Sequence, residues 1–270
     1  MKEYFAFLRG ESQVDRLRRF NFIMGFLHLI QAIAMLFLGL FVIDKIATFQ
    51  PQIVKFFLRY DPIFGLVFDS KPLFVLPFGL LVASFLFISA FAHALISIPN
   101  KLFKVYASDL EKGINKFRWF EYALSSSIMI VLIATLFGIN DIGSLVLIFI
   151  VNASMNLFGL VMEQLNVGKT KVKWGPFVWG SIAGIAPWIV IIIYMSGSSS
   201  DALKQVPWFV WAIVGTYFVA FNTFPVNMTL QYLKVGKWKD YLYGERVYII
   251  LSLVAKTILA WLVLFGAMQP

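Results

Sequence analysis

Leu251–Leu264 reads LSLVAKTILAWLVL, an apolar run broken by one charge, Lys256. Counted from Val247, where the run begins, Lys256 lies ~14 Å along a helix, near the middle of a hydrocarbon layer ~30 Å thick. That depth is too great for the amine to snorkel to either interface. An unpaired ammonium there costs ~2.5–3.5 kcal/mol even on the lenient insertion scale. Lys256 therefore needs a partner or a chemical modification, and a structural salt bridge is one way to supply the first.

The rest of the chain repeats the pattern without the charge. Seven apolar runs fall near Phe20–Ile43, Leu73–Ile98, Trp119–Gly138, Ile142–Met162, Pro176–Met195, Trp208–Leu233 and Val247–Met268. Of the 270 residues, 60% are hydrophobic, 17% aromatic and 14% charged, against ~25% charged in soluble domains. Mean hydropathy is +0.81. These values exclude a water-soluble enzyme, a disordered chain and an amphipathic surface binder. They predict an all-α membrane protein, one seven-transmembrane-helix bundle over residues 1–270, with membrane lipids as its surroundings. The first run is too long for a signal peptide's apolar region of ~7–15 residues, so it is expected to remain as a helix.

Zero cysteines excludes disulfides and thiolate chemistry. Two histidines without clustered carboxylates argue against a metal site, and no phosphate loop, HExxH or nucleophile elbow supports an enzyme. The net charge of +9 is expected to mark cytoplasmic loops rather than a nucleic-acid partner. The N-terminal tail and the 2–3, 4–5 and 6–7 loops together hold 17 Lys/Arg, whereas the 1–2 and 5–6 loops hold 5. The positive-inside rule then places the N-terminus in the cytoplasm and Pro270 outside.

Ser108-Asp109-Leu110-Glu111 has capping-box spacing and predicts a third helix that starts near Asp109 and runs some 30 residues. The long 1–2 loop contains Ile53–Tyr60 and Ile63–Phe68 around Asp61-Pro62. These predict either an extracellular β-hairpin, a plausible lid or homodimer contact, or a packed irregular loop.

Glu121 is the one convincing anion inside an apolar run. Ser125 lies one turn after Glu121 and Ser252 one turn before Lys256, so each hydroxyl shares a face with its charged neighbour. His28, His93 and Gln31 fall toward the same half of the bundle and predict a polar cytoplasmic cavity. Gly180–Gly184 has the spacing of a helix contact. Pro187 and Pro225 interrupt spans 5 and 6, with Phe221, Phe224 and Met228 forming an apolar wall beside Pro225.

Seven helices with one buried lysine in the seventh and a carboxylate in the third resemble the retinal-binding rhodopsins, and the inverted orientation resembles heliorhodopsins among them. The resemblance rests on Arg118 with Glu121-Tyr122 and Ser125, on Ser252-xxx-Lys256, on His28 and His93, and on the long 1–2 loop. It implies that Lys256 carries all-trans retinal, covalently bound as a Schiff base, with Glu121 as counterion. It further implies Ser125 and Ser252 near that bond, and Tyr122, Asn152, Met155, Phe221, Phe224 and Met228 about the chromophore. Ion-pumping microbial rhodopsins carry aspartate where this chain has Ser252, which speaks against pumping. The implied function is a light sensor acting through an unknown signalling partner; a light-gated or light-driven ion transporter on the same pigment is the alternative.

Overall fold

The computed structural model describes residues 12–43, 51–197 and 200–267. The tail Met1–Glu11, Asp44, Lys45 and the end of the seventh run at Met268 lie outside the described residues. Among the described residues seven helices are long and apolar enough to span a membrane, so the chain is a multi-pass membrane protein. They are α1 (Gln13–Leu38, extended by a π-helical turn over Gly39–Ile43), α2 (Phe78–Ser97), α4 (Lys116–Leu136), α5 (Ile142–Asn166), α6 (Gly175–Gly197), α8 (Trp208–Tyr232) and α9 (Tyr241–Ala267). Two further helices, α3 (Asn100–Glu111) and α7 (Ser200–Gln205), join spans.

Local chemistry sets the helix starts. Ser12 and Asp15 form a capping box at α1, and the Asp141 side chain accepts from Ser144 N at α5, each satisfying an otherwise orphaned donor. The 1–2 connection is a hairpin of β1 (Gln52–Asp61) and β2 (Gly65–Val75), antiparallel in the register Gln52↔Val75 to Asp61↔Gly65. Its base is tied down: Val54 N donates to Asn140 O and Leu76 N to Pro51 O, while Ile53 is fully buried. Its tip is exposed and apolar, with Phe64 at 77% and Phe68 at 86%. Because β2 extends to Val75, the second span starts at Phe78, not Leu73.

The third helix differs from the sequence expectation. Asp109 lies inside α3, and the chain breaks at Gly113, which has φ +72° and donates its N–H to Leu110 O. A left-handed glycine ends α3 there. The spanning helix α4 restarts under Asn115, whose side chain accepts from Arg118 N. Glu121 is consequently ~9 Å from its helix start, half the distance the Ser108 cap implied.

Side chains of α1, α2, α4, α5, α6, α8 and α9 build one large core cluster. Backbones approach closely where α1 meets α2: a Cβ added to Gly79 would lie 2.6 Å from Gly39 Cα. Backbone cannot yield as a side-chain tip can. Gly79→Ala should therefore destabilise the protein by ~1–3 kcal/mol, the usual penalty for overpacking. A lowered thermal unfolding midpoint in detergent is expected; an unchanged midpoint would show that the helices separate freely.

Candidate functional site

Three helices converge on Lys256. Its ammonium, on α9, donates to Glu121 Oε1 of α4 at 2.5 Å, to Ser89 Oγ of α2 at 2.6 Å and to Ser252 Oγ at 3.0 Å. All three N–H donors are thereby used. Ser89 Oγ in turn donates to Glu121 Oε1 at 2.6 Å. Lys256 is 3% and Glu121 8% exposed, so the pair is desolvated and each charge depends on the other. Ser125 Oγ is buried on the Glu121 side without a partner in hydrogen-bond geometry.

Beside the amine is a cavity of about 510 Å³, within the range of sites that enclose small organic ligands. Lys256, Ser252, Ser125 and Tyr122 are among its lining residues. Met155, Trp188, Tyr217, Phe221, Phe224 and Met228 make its apolar walls. Gly159, Gly180 and Gly184 also line it. Gly180 and Gly184 pack against Phe158 and Met155 of α5, so the predicted helix contact also shapes this space. Pro187 and Pro225 sit inside α6 and α8, the two helices that flank the cavity's lipid-facing side, where Ile185, Ile189 and Phe218 are exposed.

The sequence-predicted residues divide as follows. Lys256, Glu121 and Ser252 are hydrogen-bonded together. Tyr122, Met155, Phe221, Phe224 and Met228 line the cavity with Ser125 and Lys256. The Tyr122 hydroxyl itself turns away, donating to Tyr248 O at 3.0 Å. Asn152 is not among the lining residues: it is buried against α4, donating to Ser126 Oγ at 2.8 Å and Ser127 Oγ at 3.0 Å. Asn156, one turn on, does line the cavity.

His28 and His93 stack with ring centroids 5.6 Å apart, and His93 Nδ1 lies 2.8 Å from Asn21 Oδ1. Asn21, His93, Asn115, Arg118, Glu121, Tyr122 and Ser252 line a second, smaller cavity of about 30 Å³. Both ring nitrogens of His28 are buried without a partner. Gln31 does not join them through its amide, which donates weakly to Leu27 O at 3.5 Å.

Sequence reading missed Ser89, one small residue in an apolar run. It also missed a second buried ion cluster, where Arg118 pairs with both Glu163 and Glu245. These carboxylates sit near span ends, where charge is ordinary. Among the described residues no group of three or more His, Cys, Asp or Glu is placed to hold a metal.

A buried amine paired with one carboxylate thus lies beside an apolar cavity in a seven-helix membrane protein. The sequence model of the heliorhodopsin family matches residues 17–268, and the chain belongs to that family, one of retinal-binding rhodopsins not known as enzymes. Comparison with curated proteins gives no match. Among solved structures, a thermophilic rhodopsin is similar over 93% of each chain, with 13% sequence identity and a TM-score of 0.49.

Removing one member of a buried ion pair costs ~3–5 kcal/mol, whereas replacing both by apolar groups is often neutral. In protein without retinal, Glu121→Leu and Lys256→Met should each lower the unfolding midpoint, and the double variant should recover most of the loss. Additive losses would mean that the two groups do not depend on one another.

Proposed function

We propose that the protein is a light sensor whose retinal is held covalently by Lys256. The observation that carries this reading is the position of the Lys256 amine, bonded to a paired carboxylate and on the wall of a largely apolar cavity. The cavity fits the group: aromatic and methionine side chains line it together with three glycines, and Lys256 is the sole lysine among the lining residues. When bound, retinal supplies a light-absorbing polyene whose double-bond geometry changes on excitation.

The protein's own groups do the rest. Glu121 holds the positive charge at Lys256, and a charge-assisted hydrogen bond at 2.5 Å fixes where that charge sits. Ser89 and Ser252 orient the nitrogen, and the aromatic wall excludes water from the apolar end. A proton leaving Lys256 has Glu121 as the nearest acceptor, with His93 across the small cavity.

The reading without net pumping rests on asymmetry. Asp141, toward the other membrane face, is occupied in capping α5, while Asp44 lies outside the described residues. Ser252 is a poor proton store. A displaced proton is thus expected to return by its outward path, and the resulting change in charge to act on the bundle and a signalling partner. The basic-residue bias supports a cytoplasmic N-terminus and an extracellular C-terminus. The hairpin's exposed Phe64 and Phe68 support the expected homodimer.

Expression with added all-trans retinal should give a coloured protein, and Lys256→Ala should be colourless although folded. Glu121→Gln should shift the band to longer wavelength or lower the pH at which it is lost, because a negative charge no longer confines the positive one. Colour surviving in Lys256→Ala would overturn the attachment site.

Voltage-clamped cells should show no steady photocurrent at zero driving force, with an N-terminal tag shielded from outside. A steady current would establish a pump instead, and a current reversing with the proton gradient would establish a channel.

A further inference from the structure

The cavity of about 510 Å³ has a polar group on its wall that neither Lys256 nor its partners use. Most other polar side chains there are already occupied. Ser126 Oγ donates to Tyr122 O and Ser181 Oγ to Phe177 O, each one turn back along its own helix. Asn222 donates to Phe218 O and is exposed. Asn156 differs. It is 6% exposed, and its side-chain nitrogen donates to Ser126 Oγ at 3.0 Å and to Asn152 O at 2.9 Å. A backbone carbonyl can only accept, so the atom beside Asn152 O must be the nitrogen. The side-chain oxygen is thereby turned from both contacts, and among the described residues it accepts no hydrogen bond.

Helix packing does not call for this oxygen. Asn152 already ties α5 to α4 through Ser126 and Ser127, and the Asn156 amide adds a second donor to the same Ser126 oxygen. An acceptor left unmade out of water is unfavourable, and a leucine of similar volume would avoid it. The amine is held by α2, α4 and α9, and Asn156 bonds to none of Lys256, Glu121, Ser89 and Ser252. Its oxygen therefore belongs to the wall around a ligand's hydrocarbon body, away from the nitrogen. The Tyr217 hydroxyl, also on the wall, can turn to donate or accept. An amide oxygen only accepts, so it presents a fixed negative partial charge.

We propose that Asn156 sets the colour of the pigment, its side-chain carbonyl being the acceptor for positive charge spread along the chromophore; the proposal rests on the reading of Lys256 as the retinal-bearing residue. Excitation of a protonated polyene imine moves positive charge away from its nitrogen. A fixed acceptor on the hydrocarbon wall, in surroundings of low dielectric, stabilises that displaced charge more than the ground-state one. Asn156 thus moves absorption to longer wavelength. Glu121 acts in the opposite sense, because a negative charge at the nitrogen favours the ground state. Ser126 and the Asn152 carbonyl are positioning partners, since they hold the amide nitrogen and so aim the oxygen.

The test compares Asn156→Leu with wild type, each as the full chain in detergent, with and without all-trans retinal. With retinal, Asn156→Leu should absorb at shorter wavelength. Resonance Raman spectra should show its polyene C=C stretch raised and its C=N stretch unmoved, which places the effect on the hydrocarbon and not at the nitrogen. Asn156→Val, which cannot overpack the wall, should shift the band the same way. Asn156→Asp keeps an acceptor and should not move the band to shorter wavelength, whereas Ser126→Ala should move it part of the way. Without retinal, the unfolding midpoint of Asn156→Leu should equal or exceed that of wild type, because leucine removes an acceptor that had no partner. A coloured wild type whose band is unchanged in Asn156→Leu and Asn156→Val would overturn the proposal alone. So would a lowered midpoint without retinal together with a moved C=N stretch, the signature of a structural role. A colourless wild type would instead refute the retinal reading, and the proposal with it.

Discussion

A lysine in the middle of a seventh apolar helix cannot remain charged alone, and the pairing of Lys256 with Glu121 answers that constraint. The pair binds α9 to α4, and Ser89 adds α2 by bonding to both charges. Three helices are thereby held in register by interactions that lipid cannot replace. The same amine lies on the wall of an apolar cavity that glycines of α5 and α6 and aromatic side chains of α6 and α8 also line.

The second ion cluster depends on where α4 begins. Asn115 caps that helix, and the first turn delivers Arg118 and Trp119 to Glu163, while the next turn delivers Glu121 to Lys256. Two buried charge systems are consequently in fixed phase on one helix, separated by a space of water size. A shift of α4 relative to α9 would perturb both together, since each system pairs a charge on α4 with one on α9.

Much of this was legible in residue types. Seven apolar runs dictate seven helices, and the depth of Lys256 demands the buried partner that Glu121 supplies. The hairpin was legible from two β-rich stretches around Asp61-Pro62, although the loop alternative fitted equally well until the anchoring of Ile53 and Val54 was seen. The start of the third span was misread because Ser108 and Glu111 have capping-box spacing inside an ordinary helix. Gly113, free to adopt φ +72°, and Asn115 were the true signals. Ser89 and Glu245 were hidden for opposite reasons: a serine among apolar residues looks like packing, and a glutamate at a span end looks like solvent-facing charge. The hydrogen bonds of Asn152 to Ser126 and Ser127 could not be read from residue types either, since they depend on how α5 packs on α4.

The central claim is that Lys256, and no other amine, holds the chromophore. Its most direct measurement is peptide mapping by mass spectrometry after the coloured protein is chemically reduced to make the attachment permanent. The account predicts a retinyl mass on the peptide containing Lys256 and unmodified lysines elsewhere. A retinyl group on another lysine, or a coloured protein with Lys256 unmodified, would contradict it.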